Sequence, residues 1–283
     1  MWLATVLGEE GTSVAVVSAG RMLPLTAAGV RGVRDIAARG EDGLAQLRAW
    51  VDGQPAAAWR TLAGVRLGPA VPDPGAIYTI GLNYRPPGLP PAADDDRPER
   101  PLVYGKAASS VAGHGEVLAW DRSLTANVDA EVELGVVIGT EAVAVSPAEA
   151  MRHVFGYTCI NDVSSRDPWL DGDQWLIGKS MPGFCPAGPW VVTADELDPA
   201  GLRLGCTING TAIQEDTTDA MRFSIAEVVS YLSHHVTLRP GDLIATGTPS
   251  RLAGPLGPER HLQAGDVVTV WVEQIGELTT TIA

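Results

Sequence analysis

Two glutamates two residues apart, Glu131 and Glu133, lie in the run DAEVELGVVIG at positions 129–139. In an extended chain, successive side chains point to opposite faces. Asp129, Glu131, Glu133, Gly135 and Val137 then share one face, and Val132, Leu134, Val136 and Ile138 the other. Residues i and i+2 on one face are roughly 6.6 Å apart at strand rise. Carboxylates held that close repel, and a protein keeps them there by protonating one or by neutralising both with a cation. The alternative is an exposed antiparallel strand with a wet, acidic face. A third carboxylate, Asp162, falls near the end of the strand predicted over 155–163. If the two strands meet, Glu131, Glu133 and Asp162 form an all-oxygen donor set. Hard oxygen donors without Cys or His select Mg²⁺, Mn²⁺ or Ca²⁺ over zinc, and three carboxylates with room for water suit Mg²⁺ or Mn²⁺. Spacing alone leaves the acidic face and the metal site both open.

The elements that must position these groups are short strands with few helices. Residues 1–26 read as strand, turn and strand. Residues 35–51 have helical spacing, and 53–74 are rich in Ala, Gly and Pro, like a linker. Residues 1–70 are taken as a small N-terminal domain or arm, and 71–283 as the main domain. Strands are predicted at 77–82 and 101–106. Ser146, Pro147 and Glu149 give a helix start with Ser at the N-cap, Pro at N1 and Glu at N3. Gly178-Lys179-Ser180 falls in a predicted turn region. Asn209-Gly210 is a hairpin signature, and Ser224 with Glu227 caps the best helix, 224–236. A strand at 243–248 and a hairpin of 267–272 with 278–282 close the chain. This texture predicts a β-rich α+β fold, not alternating βαβ units.

The 283 residues carry 20 Lys and Arg against 34 Asp and Glu, a net charge of −14, which would repel nucleic acid. No apolar run is long enough to span a bilayer, and the N-terminus has no basic region with a cleavage site, so a cytoplasmic protein is expected. Cys159, Cys185 and Cys206 are isolated and read as small buried hydrophobes.

From about residue 76 onward, many motifs occur in a specific order. They include GLNYR (81–85), LVYGKAASSVAG (102–113), VDAEVELGVVIG (128–139), GYTCINDVSSRD (156–167), QWLIGKS (174–180), CTINGTAIQEDTTDAM (206–221) and SIAEVVSYLSHHVTLRPGDLIATGTPS (224–250). In these the chain resembles the fumarylacetoacetate hydrolase superfamily. The resemblance implies a mixed β-sandwich roll with a small N-terminal domain, a catalytic domain over 71–283, and a homodimer. It implies Mg²⁺ or Mn²⁺ (Ca²⁺ in crystals) held by Glu131, Glu133 and Asp162. The substrate would be a small oxo acid or 1,3-dioxo compound whose enolate the metal stabilises. Carbon–carbon bond hydrolysis or lysis is the leading outcome, and decarboxylation, tautomerisation or isomerisation the alternatives. A non-catalytic metal- or ligand-binding protein, or a structural subunit, is the reading from another class. Lys179 would place a positive charge by the developing oxyanion, and Lys106 matches a second family lysine. Arg166 would pair with carboxylates of the site or make a structural ion pair. Thr248, Trp169 and Tyr84 would contact substrate.

The chain also departs from the family. Members that activate water place His and Glu on a small lid helix, where this chain has Pro87 and Pro90. Neither can move a proton, and prolines oppose the helix. Trp169 stands where Gln is frequent, and Pro182-Gly183 where Asp-Thr is frequent. A replacement base is sought in His114, which sits in a glycine-bounded turn, or in Glu99 or 94–96 on the 86–100 loop. His153, His234 and His235 read as structural.

Overall fold

Runs of β-branched and aromatic residues punctuated by Gly, Pro and Asn become strands. A computed structural model describes residues 1–9, 11–90, 97–167, 174–253 and 260–283. Its strands, in chain order, are β1 (Trp2–Gly8), β2 (Gly11–Ser18), β3 (Arg21–Pro24), β4 (Arg60–Thr61), β5 (Ile77–Gly81), β6 (Leu102–Lys106), β7 (Val111–Ala112), β8 (Val117–Leu118), β9 (Val128–Asp129), β10 (Val132–Ile138), β11 (Val154–Asn161), β12 (Ser164–Ser165), β13 (Cys185–Thr193), β14 (Arg203–Ile208), β15 (Thr211–Thr217), β16 (Leu243–Ala245), β17 (Val267–Val272) and β18 (Gly276–Ile282). The helices are α1 (Val33–Ala38), α2 (Gly40–Asp52), α3 (Pro147–Ala150), α4 (Trp175–Lys179) and α5 (Ile225–Ser233). The molecule is therefore β-rich, as expected.

The large mixed sheet runs β4-β3-β2-β1-β13-β11-β10-β16-β5-β6, with β7 attached to β13. A second sheet runs β15-β14-β17-β18-β8. Strand β1 pairs antiparallel with β13, so the N-terminal strands continue the large sheet through hydrogen bonds. Alternation on β10 decides what packs where. Val132, Leu134, Val136 and Ile138 join Leu204, Cys206, Val268 and Val270 of the second sheet in one core, which makes the sandwich. Val137 points the other way, into a core with Ile160 and Val191 and with Ile36 and Leu47 of α1 and α2. Each fully buried aliphatic side chain contributes roughly 1.5–3 kcal/mol.

Several expectations change. The 129–139 run is not one strand, because Ala130 and Glu131 separate β9 from β10. Nor is its acidic face wet, since all of β10 is buried. The helix expected over 35–51 is two helices. The chain passes through a left-handed φ of 64° at Gly40, a conformation glycine adopts without steric cost. Both predicted capping boxes form, Ser146 with Glu149 and Ser224 with Glu227. Asn209 and Gly210, both at positive φ, turn the β14–β15 hairpin. Lys179 ends the short helix α4 instead of lying in a turn. No helix among the described residues is long and apolar enough to cross a membrane.

Candidate metal centre

The break between β9 and β10 creates the site. Glu131 sits in it, and its backbone N–H donates to Asn161 Oδ1 at 3.0 Å. The backbone N–H of Asp162 donates to the Glu131 carbonyl at 2.9 Å. The end of β11 is thereby stapled to the start of β10, and two acidic side chains meet. Glu133 follows on β10, and its Oε2 accepts the backbone N–H of Gly247 at 2.7 Å. Gly247 has a φ of 104°, and a Cβ there would lie 2.7 Å from the Cβ of Asn83, so glycine alone fits this approach. Asn83 holds the neighbouring loop by donating to the carbonyls of Thr246 and Phe223 and accepting the Phe223 N–H.

One carboxylate oxygen from each of Glu131, Glu133 and Asp162 lies within 4.8 Å of the others, and all three residues are buried. Burial pushes the Glu133 carboxyl well above the ordinary range, and the charges of Asp162 and Glu131 push it further. Burial acts the same way on Asp162, but Lys106 and Lys179 outweigh it and leave this group below its usual value. An all-carboxylate trio with one member so disfavoured as an anion fits a hard divalent cation.

Cations already surround the trio. Lys179 Nζ donates to Asp162 Oδ2 at 2.6 Å, Ser164 Oγ at 2.6 Å and Glu131 Oε2 at 3.2 Å. Burial alone would lower its proton affinity, but Asp162 and Glu131 raise it well above normal, so Lys179 stays charged. Arg166 bonds Asp129 Oδ2 through Nε at 3.2 Å and Glu131 Oε1 through Nη2. Lys106 lies behind the trio. Its Nζ donates to Asp162 Oδ1 at 2.5 Å and to the Val163 carbonyl at 3.0 Å, with no exposed side-chain surface.

A cavity of about 340 Å³ opens over the trio, and its wall includes Lys179, Arg166, Tyr84 and Thr248. Tyr84 is buried, and among the described residues its hydroxyl has no hydrogen-bond partner. Burial raises its pKa well above the ordinary value, with Glu133 adding to the effect, so it is a neutral donor. A buried hydroxyl left unsatisfied costs on the order of 1–3 kcal/mol, which a ligand oxygen would recover. Thr248 Oγ1 donates to the Val132 carbonyl at 2.8 Å and accepts from Gln214 Nε2 at 2.8 Å. It therefore braces β10 as well as lining the cavity.

The structure thus brings together seven of the residues singled out from sequence. Lys106 is not in the cavity wall and bonds Asp162 from outside it. His114 is not in the wall either; its Nδ1 accepts the Thr279 N–H at 3.3 Å, beside β18. Glu99 is exposed beside Arg100. Trp169 and residues 94–96 lie outside the described residues. The rings of His234 and His235 bond to backbone carbonyls of their own helix, and that of His153 to Thr140. The three cysteines are buried thiols whose pKa burial pushes up to about 12. Sequence reasoning did not assign Asp129, Arg251, Gln214 or the stacked pair Tyr104–Trp175 to the site, and all of them line the cavity. Asp129 was visible as the first acid of its alternating face. Arg251, in irregular chain after a Thr-Pro-Ser turn, carried no signal.

Residues 76–283 match the family model for the fumarylacetoacetate (FAA) hydrolase C-terminal domain. The chain is 37% identical over 224 residues to the oxaloacetate tautomerase YisK of Bacillus subtilis, covering 78% of this chain and 74% of that one. It is 41% identical over 214 residues to a 2,4-didehydro-3-deoxy-L-rhamnonate hydrolase of a Sphingomonas species, covering 75% and 74%. Among solved structures, a fumarylacetoacetate hydrolase from Exiguobacterium antarcticum superposes with a TM-score of 0.87 at 30% identity, covering 100% of this chain and 99% of that one. A maleylpyruvate hydrolase of a Sphingobium species, solved with manganese(II) and pyruvate, superposes at 0.82 with 26% identity and covers 100% and 99%.

Proposed function

Because the chain belongs to the fumarylacetoacetate hydrolase family, we propose that it is a divalent-metal-dependent enzyme that stabilises the enolate of a 2-oxo acid or 1,3-dioxo substrate. The observation that carries this reading is the carboxylate trio beneath an open cavity whose wall also includes Lys179, Arg166 and Tyr84. Glu131, Glu133 and Asp162 would hold Mg²⁺ or Mn²⁺, which supplies Lewis acidity toward two adjacent substrate oxygens. Lys179 holds a fixed positive charge beside that position and disfavours any state in which the enolate oxygen is uncompensated. The Tyr84 hydroxyl, without a partner among the described residues, would donate to a substrate oxygen. Lys106 holds Asp162 from behind and fixes the direction of its other oxygen. Residues 71–283 are the unit that carries this chemistry, within a homodimer.

The cavity wall holds carboxylates, arginines, Lys179 and tyrosines, but no imidazole among the described residues. Hydrolysis needs a group that activates water, and by the resemblance to the family its positions would fall at Pro87 and Pro90 here, neither of which can move a proton. Outcomes that need no activated water are favoured, namely keto–enol tautomerisation or decarboxylation of an oxo acid. The test is turnover of enol oxaloacetate and of acylpyruvates with Mg²⁺ or Mn²⁺, with and without chelator, with Glu131→Ala as control. Tautomerisation or decarboxylation that needs metal and is lost in the variant supports the reading. Turnover unaffected by chelator overturns it.

A further inference from the structure

Away from the metal centre, we propose that the shallow cavity beside the β17–β18 turn binds a small quaternary ammonium ion. The cavity has a volume of about 340 Å³ and shares no lining residue with the cavity over the carboxylate trio. Three of the chain's 8 tryptophans, Trp2, Trp190 and Trp271, meet in its wall with the carboxylates Glu273 and Glu277. The two sheets bring them together. Trp2 on β1 pairs opposite Val192 of β13, which makes Trp190, two residues earlier on β13, its diagonal neighbour. Their ring centroids are 5.3 Å apart with planes inclined by 34°. Trp271 on β17 lies directly opposite Glu277 on β18, so this indole and this carboxylate share a face. Trp190 Nε1 donates to the Ile275 carbonyl at 2.6 Å and ties its ring to the turn. Gly276 has a φ of 124°, and a Cβ there would lie 3.3 Å from Cζ2 of Trp190, so glycine lets the turn close on the ring.

The chemistry of this wall selects a cation. An indole face attracts positive charge within about 6 Å of its centroid. Trp271 already does so with Arg203, whose guanidinium carbon lies 5.7 Å from the ring centroid. Arg203 is not in the cavity wall, and no Lys, Arg or His lines it among the described residues. Glu277 is exposed and has no ion pair among the described residues. Glu273 accepts the Arg203 backbone N–H at 3.0 Å, which holds it at the rim. The wall thus carries two negative charges and no positive one, in a chain whose net charge of −14 draws cations. A neutral apolar solute would use the indoles but leave the carboxylates without a role. A primary ammonium brings three N–H donors and a strong hydration shell, which ring faces do not replace. A quaternary ammonium has a charge for the carboxylates, methyl groups for the rings and no N–H to satisfy.

Calorimetric titration of the full chain with choline tests this, with sodium chloride at matched ionic strength as the blank. The control ligand is the neutral analogue of choline with carbon in place of nitrogen. Choline is expected to bind saturably and about tenfold more tightly than that analogue. Trp271→Leu is expected to weaken choline by about tenfold and Glu277→Gln by about threefold. Circular dichroism checks that both variants fold, and Glu277→Gln, at an exposed position, carries the test alone if Trp271→Leu does not. Phosphatidylcholine vesicles test a lipid headgroup as the source of the same cation. No cosedimentation with them is expected, because the headgroup phosphate would face Glu273 and Glu277. Equal affinity for choline and its neutral analogue overturns the proposal and leaves an apolar hollow. So does choline binding that Glu277→Gln leaves intact, or the absence of saturable binding. Cosedimentation with vesicles without binding of choline overturns the assignment to a free solute.

Discussion

Lys106 Nζ sits 2.5 Å from Asp162 Oδ1 on the side of the carboxylate away from the cavity, and neither side chain is more than 1% exposed. One oxygen of Asp162 is thereby fixed by a buried cation, and the other meets Lys179 on the cavity side. A metal centre made of flexible carboxylates gains its geometry from such backing.

Replacing Lys106 with Met should leave Asp162 as a buried, half-compensated charge. Removing one partner of a buried pair costs about 3–5 kcal/mol. Urea denaturation should register a loss of that size. Mn²⁺ affinity should also fall, because the Asp162 carboxylate loses the contact that holds its orientation.

Tyr84→Phe should behave in the opposite way. The hydroxyl has no hydrogen-bond partner among the described residues, so its removal should raise stability by up to about 1–3 kcal/mol. Loss of a donor made to the transition state should lower kcat/KM by about 10- to 100-fold. Steady-state kinetics beside a thermal melt separates the two quantities.

Glu133 makes the metal-free protein pH-sensitive. Its folded carboxyl binds a proton more tightly than the unfolded one, whose pKa is about 4.3. Stability is therefore fully present below that unfolded value and declines as pH rises through the higher folded value. Asp162, shifted downward, acts in the other direction and loses its contribution only in acid below the ordinary carboxylate range. Metal uptake must expel the Glu133 proton, so the rise in Tm caused by Mn²⁺ should grow between pH 5 and pH 8. Glu133→Gln should raise the Tm of the metal-free protein at pH 8 and abolish the response to Mn²⁺. Scanning calorimetry at several pH values checks both.

Features set by local rules could be read directly from the sequence. The two capping boxes and the Asn209-Gly210 turn depend on residues within four positions of each other, and they form as expected. The period of β10 separated its apolar face from its acidic one, and Glu131, Glu133 and Asp162 do meet. Periodicity could not say that the acidic face is buried, because that depends on a second core built by distant helices. It also missed the break at Glu131, which hinges on Asn161 thirty residues away. The positions of Lys106, behind the wall, and of His114, beside β18, are tertiary facts without a local signal. Arg251 was invisible for the same reason, since its meaning arises only from Asp129 across the cavity.

The trio's grip on a cation can be tested by anomalous diffraction from crystals of the full chain soaked in Mn²⁺. The account predicts one manganese peak bonded to an oxygen from each of Glu131, Glu133 and Asp162, at distances near 2.0–2.3 Å. Density with no such peak, and the three side chains turned away from one another, would contradict it.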